Sequence, residues 1–136
     1  MTPRFLLDTS AVSQHLRPEP VAGIIPWMRA RRRQLAIGAP AWHELRFGCE
    51  RLLPSRRRRA IESYLAEVAS WLPVLAFDEA AATWHARERA RLARLGKTPP
   101  FVDGQIAAVA WVHDLALVTT SPADFLDFDG LRVRAW

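Results

Sequence analysis

Four acidic residues stand beside apolar segments, where a carboxylate is unfavourable unless something compensates its charge. They are Asp8, Glu44, Asp103 and Asp124. If they meet, the cluster cannot stay ionised without a cation, and its hard oxygen atoms suit Mg²⁺, with Mn²⁺ as a substitute. Such metals activate water and stabilise charge on an attacked phosphate, so the acids predict hydrolysis of phosphodiester bonds. We expect Asp8 and Asp103 to hold the metal, while Glu44 and Asp124 complete the shell or position a second ion.

Two of these acids come shortly after predicted strands. Asp8 ends the apolar run at residues 5–7, and Asp124 follows the run at 115–119. Ligands of open parallel sheets bind beyond the carboxyl ends of the strands, so both carboxylates would border one site. The simpler interpretation is that each acid only begins a helix, Asp8 as its cap and Asp124 as an acid of its first turn.

The other two acids lie within predicted helices. Glu44 has apolar or small neighbours three and four positions away on both sides, so its carboxylate should face the packed side. A salt bridge to Arg46 or Arg51 is the alternative. Asp103 stands on the apolar stripe of the most apolar helix, in the first turn, where the helix dipole favours negative charge. It could equally be an ordinary first-turn acid.

Short apolar runs alternate with helical segments along the chain. Thr9 or Ser10 would cap the first helix, Asp78 caps the longest one, and Gly96 ends it. Strands buried on both faces imply a mostly parallel sheet of four to five strands in a three-layer α/β/α sandwich, formed as one domain over residues 1–136. Strands are expected at 5–7, 35–37, 73–77, 115–119 and near 131–133, with helices at 11–16, 21–33, 41–53, 56–71, 79–95, 102–113 and 122–126.

Positive charge predominates, with 19 Lys and Arg against 14 Asp and Glu and a net charge of +5. A basic surface attracts polyanions such as RNA. Dense arginine patches at 29–33 and 56–59 could bind RNA phosphates or a protein partner, and we expect at least one to be only a solvated face. The single cysteine, Cys49, excludes an intrachain disulfide, and no apolar run approaches the roughly 18 residues of a membrane span. We therefore expect a cytoplasmic protein.

These residues resemble the PIN-domain family, specifically its VapC-type toxins. Five motifs carry the resemblance, in the family's order and over nearly the whole chain. They are Phe-Leu-Leu-Asp-Thr-Ser at 5–10, Glu-Leu-x-x-Gly at 44–48, Asp-x-x-Ile-Ala-Ala at 103–108, Val-Thr at 118–119 with Asp-Phe at 124–125, and a final strand at 130–133 with Trp136.

The resemblance implies a PIN-like fold and a Mg²⁺-dependent endoribonuclease that cleaves RNA. It also implies a homodimer and a cognate VapB-like antitoxin that blocks the site within a toxin–antitoxin hetero-oligomer. By position, the family's acidic quartet would be Asp8, Glu44, Asp103 and Asp124. Ser121 stands where many members carry Asn or Asp. The fourth position of the acidic site could therefore belong to either Ser121 or Asp124.

Two other functions fit some of these features. A catalytically weak RNA- or protein-binding module with the same fold would keep the acids without cleaving RNA. A phosphatase of the haloacid-dehalogenase type also begins with a strand-end Asp, but its chemistry usually needs a second Asp two residues later, where this chain has Ser10. An Asp8→Asn variant that folds but no longer cleaves RNA would separate the enzyme from the binding module.

Overall fold

The computed structural model describes residues 2–136. Its sheet has five strands, all paired in parallel, in the order β3-β2-β1-β4-β5. The strands are β1 (Phe5–Leu7), β2 (Leu35–Gly38), β3 (Val74–Leu75), β4 (Ala116–Thr119) and β5 (Val133–Ala135). The helices flanking the sheet are α1 (Thr9–Val12), α2 (Ile24–Ala30), α3 (Ala39–Glu50), α4 (Arg56–Ala69), α5 (Glu79–Arg94) and α6 (Phe101–Val112). The predicted α/β class with a mostly parallel sheet is confirmed.

The three central strands end at the same level. Leu7 of β1 is in register with Ile37 of β2 and Val118 of β4. All three side chains are buried, as expected for strands covered by helices on both faces. Whatever follows β1, β2 and β4 in the chain is therefore brought to one edge of the sheet, the carboxyl edge.

Several predicted boundaries were wrong, for local reasons. The helix expected at 21–33 begins only at Ile24, because Gly23 adopts a left-handed conformation with φ of 86°, and a 3₁₀ turn replaces its end. The last strand begins at Val133 rather than 131, because Gly130 turns the chain with φ of 74°. The strand expected at 73–77 has only two residues, at the edge of the sheet.

The first helix is capped by a different residue from the one predicted. Asp8 Oδ1 accepts a 2.9 Å hydrogen bond from the Ala11 amide, so Asp8 is the cap, and the expectation of Thr9 or Ser10 was wrong. The caps of α5 agree with the sequence, since Asp78 accepts from the Ala81 amide and the helix ends just before Gly96. Asp8 therefore does fulfil the structural role that the simpler interpretation gave it.

Helices α5 and α6 approach closely at one glycine. A Cβ atom on Gly104 would overlap the imidazole Nε2 of His85, a buried residue of α5. Beyond this contact, α6 is buried from Ile106 to Ala110. The close approach sets the height of the first turn of α6, which carries Asp103.

None of the helices in the part of the chain that the structure describes is both long and apolar enough to cross a membrane.

Candidate active site

Asp8 is a buried carboxylate held by hydroxyl groups. It directly follows β1 and is only 5% exposed. Ser10 Oγ donates to Oδ1 and Thr119 Oγ1 donates to Oδ2, each over 2.6 Å. Burial raises the pKa of Asp8 above its ordinary value, and the hydrogen bonds from Ser10, Thr119 and the Ala11 amide lower it part of the way back. These bonds fix the carboxylate at the carboxyl edge of the sheet.

Glu44 faces the same edge from α3. Its carboxylate is half-buried, and Thr9 Oγ1 donates a 2.5 Å hydrogen bond to Oε1. The alternative of a salt bridge from Glu44 was wrong, because Arg46 pairs with Glu50 in the next turn of the helix. Since Thr9 adjoins Asp8, this bond ties α3 to the end of β1.

Asp103 reports how close the four acids are to one another. It is half-buried in the first turn of α6, and its pKa is raised to about 6. Burial is the largest cause, followed by the negative charges of Asp124, Glu44 and Asp8. The fold thus brings all four predicted site residues into one electrostatic neighbourhood, although they come from four separate parts of the chain.

Two residues, Asp124 and Ser121, are candidates for the fourth position of the acidic site. Asp124 is exposed in a 3₁₀ helix at Pro122–Phe125, and among the neighbouring acids its charge raises the Asp103 pKa most. Ser121 lies at the start of this helix and contributes a backbone bond, because its amide donates to Thr119 Oγ1 over 2.9 Å. Of the two residues, Asp124 is therefore the one that adds charge beside Asp103.

The donor set fits a hard divalent cation in an open arrangement. Among residues 2–136, no three acidic, histidine or cysteine side chains come close enough to form a ready-made metal cage. Mg²⁺ does not need one, since proteins usually bind it through one or two carboxylates and leave its other positions to water and substrate phosphates. Mutually repelling carboxylates, one with a pKa of about 6, are suited to such an ion.

Sequence reasoning missed the side chains that orient the acids. Neither Thr119 nor Ser10 was predicted to hold a carboxylate, yet Thr119 is fully buried and both hydroxyl groups donate to Asp8. A usable signal was present, because hydroxyl residues stand at the ends of both apolar runs, at 9–10 beside Asp8 and at 119–121 before Asp124.

The sequence of this chain matches a known protein family. The family model described as the PIN domain matches residues 5–131, which is nearly the whole chain. The chain belongs to the PIN-domain family. The resemblance predicted from the five motifs is therefore confirmed, and the parallel sheet with its acidic carboxyl edge is the PIN domain of this protein.

Named relatives of this PIN domain extend over its full length. Toxin FitB of Neisseria gonorrhoeae is 31% identical over 137 residues, covering 96% of this chain and 97% of FitB. The tRNA(fMet)-specific endonuclease VapC of Shigella flexneri is 30% identical, covering 98% of each chain. The crystal structure of DNA-bound VapBC from Salmonella typhimurium matches with a TM-score of 0.84 and 27% identity, over 98% of each chain. This PIN domain is thus similar to toxins and endonucleases of the VapC and FitB type.

Proposed function

We propose that the protein is a metal-dependent endoribonuclease toxin that a cognate antitoxin neutralises. The observation that carries this proposal is the buried carboxylate of Asp8 at the carboxyl edge of a PIN-domain sheet, with Glu44 bonded to the adjacent Thr9. The charges of Asp8, Glu44 and Asp124 also raise the pKa of Asp103. RNA is the proposed substrate because a relative similar over 98% of the chain is named a tRNA(fMet)-specific endonuclease. The net charge of +5 would help a polyanion approach these acids.

In this proposal Asp8 and Asp103 would hold Mg²⁺, for which Mn²⁺ could substitute, and Glu44 and Asp124 would complete the shell or position a second ion. The bound ion would supply a Lewis acid that activates water and neutralises charge on the attacked phosphate. Asp8 Oδ1 already accepts two hydrogen bonds, from Ser10 and Ala11, whereas Oδ2 accepts one from Thr119. Because a carboxylate oxygen has two lone pairs, Oδ2 is the atom that keeps one free for a ligand.

The remaining acids have distinct tasks. Thr9 fixes Oε1 of Glu44, which orients the carboxylate toward the end of β1. Asp103, with its pKa near 6, keeps its proton more readily than an exposed Asp and gives it up when positive charge enters the site. The exposed Asp124, whose charge acts on Asp103, would complete the shell or position a second ion.

The nuclease proposal is tested by incubating the purified protein with end-labelled RNA in Mg²⁺, in Mn²⁺ and in EDTA. We expect internal cleavage in either metal, none in EDTA, and none by an Asp8→Asn variant whose circular dichroism is unchanged. Cleavage that survives EDTA or the Asp8→Asn change would exclude this mechanism. Metal-independent RNA binding without cleavage by the unmodified protein would instead favour a binding module, and equal cleavage of single-stranded DNA would reject RNA specificity.

The antitoxin and the oligomer are further parts of the proposal. Their support is that one relative is named a toxin and that another is solved as a VapBC assembly bound to DNA. We expect the tagged protein, expressed together with the genes adjacent to its own, to co-purify with one small protein and to lose RNA cleavage in that complex. Light scattering after size-exclusion chromatography should give twice the monomer mass for the protein alone. A monomer that nothing co-purifies with would contradict this part only.

A further inference from the structure

The charged residues of helix α4 are arranged unfavourably with respect to its helix dipole. Its first turn has four arginines, at residues 56–59, and no acid, and its last turn has no basic residue. Helix α5 shows the usual arrangement in the same chain, with Glu79 in the first turn and Arg91 and Arg94 in the last. Cations are unfavourable at the positive N-terminal end of a helix, and like charges in one turn repel each other. An arginine in this turn that has no acidic partner therefore lowers the stability of the free protein rather than raising it.

One of the four arginines has a structural role. Arg58 donates to Glu62 over 2.7 Å and to Glu50 over 3.0 Å, and it also donates to the Leu52 carbonyl, so it closes the turn between α3 and α4. The other three are exposed and form no ion pair with any residue from 2 to 136. We call these three, Arg56, Arg57 and Arg59, the arginine tip.

Two arginines of the patch at 29–33 have partners within the protein. Arg32 pairs with Glu67 and lies over the Trp71 ring, at 4.3 Å from its centroid. Arg31 lies over the Trp27 ring at 4.7 Å. Arg56, Arg57 and Arg59 have no such partners within residues 2–136, so three charges in one helical turn are available together to an external anion.

The arginine tip lies within a short reach of the carboxylates. Arg58 anchors it to Glu50, which is six residues after Glu44 on the same helix. At about 1.5 Å per residue, the two glutamates are roughly 9 Å apart along α3. Phosphates follow one another at about 3.4 Å per nucleotide along a stacked strand, so a strand at Glu44 reaches the arginine tip within a few nucleotides.

We propose that the arginine tip binds the phosphate backbone of the RNA substrate beside the cleavage site. This inference rests on the proposed function and adds the surface that holds the strand. The acidic site itself repels RNA, so a nearby cluster of unpaired cations is needed to hold the chain while the carboxylates hold the ion. Exposed arginines at such a distance suit phosphates, which they bind in planar, bidentate geometry without reading the base sequence.

The test compares how RNA binding depends on salt in proteins with and without the arginine tip. All of them also carry Asp8→Asn, so that the RNA is not expected to be cleaved during the measurement. The probe is a short fluorescein-labelled polyuridylate, titrated by anisotropy over a series of KCl concentrations. Each phosphate contact on single-stranded RNA contributes about −0.7 to the slope of log K against log salt. Changing Arg56, Arg57 and Arg59 together to Gln should reduce the steepness of that slope by about 2 and weaken binding roughly tenfold at low salt.

The matched control removes the same charge from the opposite edge of the sheet. Arg4 precedes β1, and Arg29 and Arg33 precede β2. All three are exposed and form no ion pair within residues 2–136, so their triple change to Gln should leave the slope nearly unchanged. Equal losses in both triple variants would mean that only net charge matters, and would overturn the proposal. The proposal would also be overturned if the arginine-tip variant kept the salt slope of RNA binding but no longer co-purified with its protein partner. The arginine tip would then bind that protein rather than RNA. Because nothing is cleaved in this experiment, failure of the nuclease proposal shows separately, as absent cleavage by the unmodified protein.

Discussion

The Thr119 hydroxyl donates a 2.6 Å hydrogen bond to Oδ2 of Asp8, joining the ends of two neighbouring strands across 111 residues of sequence. Thr119 is fully buried, and its oxygen also accepts the Ser121 amide. One hydroxyl thus sets both the orientation of the buried carboxylate and the path of the chain toward Asp124. The first prediction concerns this bond.

Thr119→Val keeps the shape of the side chain and removes the donor. We expect RNA cleavage to fall roughly tenfold to a hundredfold, as for other groups that orient metal-binding side chains. We also expect a loss of about 1–3 kcal/mol in the free energy of unfolding, because a buried carboxylate loses a hydrogen bond. Urea denaturation and initial cleavage rates measure the two effects. Thr83→Val is the control, since Thr83 is exposed on α5 and bonds only to the Glu79 carbonyl, and its cleavage rate should not change.

Asp103→Asn should change how stability depends on pH in metal-free protein. The folded-state pKa of about 6 lies above the ordinary 3.8, so the native state holds the proton more tightly than the unfolded state does. The penalty for ionising Asp103 is therefore absent below about pH 4, grows as the pH rises through 6, and is complete above it. Discounted for partial exposure, it amounts to about 1–2 kcal/mol.

The variant should accordingly be more stable than the unmodified protein at neutral pH and equal to it near pH 4. Thermal unfolding in EDTA across this range measures the difference. Added Mg²⁺ should raise the melting temperature of the unmodified protein at neutral pH and that of Asp103→Asn much less. A stability difference that is constant with pH would show that Asp103 does not bear the repulsion of its neighbours.

Gly104→Ala should separate α5 from α6. The added methyl group would overlap the His85 ring, so we expect a loss of about 1–3 kcal/mol in the free energy of unfolding. Because Asp103 is the adjacent residue, cleavage should fall as well. Combining Gly104→Ala with His85→Ala makes room for the methyl group, and the double variant should lose less stability than the sum of the two single changes. Strictly additive losses would argue against the contact.

Two single substitutions can show whether Asp124 or Ser121 is the fourth residue of the acidic site. Asp124→Asn removes the charge that most raises the Asp103 pKa, and we expect cleavage to fall roughly tenfold or more. Ser121→Ala keeps the backbone amide that bonds to Thr119, so its rate should remain within a few-fold of the unmodified protein. If Ser121→Ala lowered cleavage more than Asp124→Asn, the fourth position of the site would belong to Ser121. Cleavage rates at saturating Mg²⁺ decide between them.

Much of the fold follows from short-range pattern. Runs such as 5–7 and 115–119 are apolar on both faces, which only a strand covered on both sides satisfies, so the parallel sheet was predictable before any contact was known. Its family membership followed from motifs in order and is confirmed. Two of the wrong boundaries lie at Gly23 and Gly130, where positive φ angles that the pattern does not reveal redirect the chain. The assignment of Asp8, Glu44, Asp103 and Asp124 as catalytic residues stays a prediction.

The amino-acid sequence alone determined the layered α/β architecture and which acids follow the strands, because burial periodicity and strand ends are local properties of the chain. The tertiary structure decided that Thr119 holds Asp8 and that His85 requires a glycine at 104. It also decided that Arg58 on α4 pairs with two glutamates, whereas Arg56, Arg57 and Arg59 beside it form no ion pair within residues 2–136. These contacts join residues far apart in the chain. They depend on the register of the strands and the approach of the helices, which the packing of the whole core sets and no local pattern encodes.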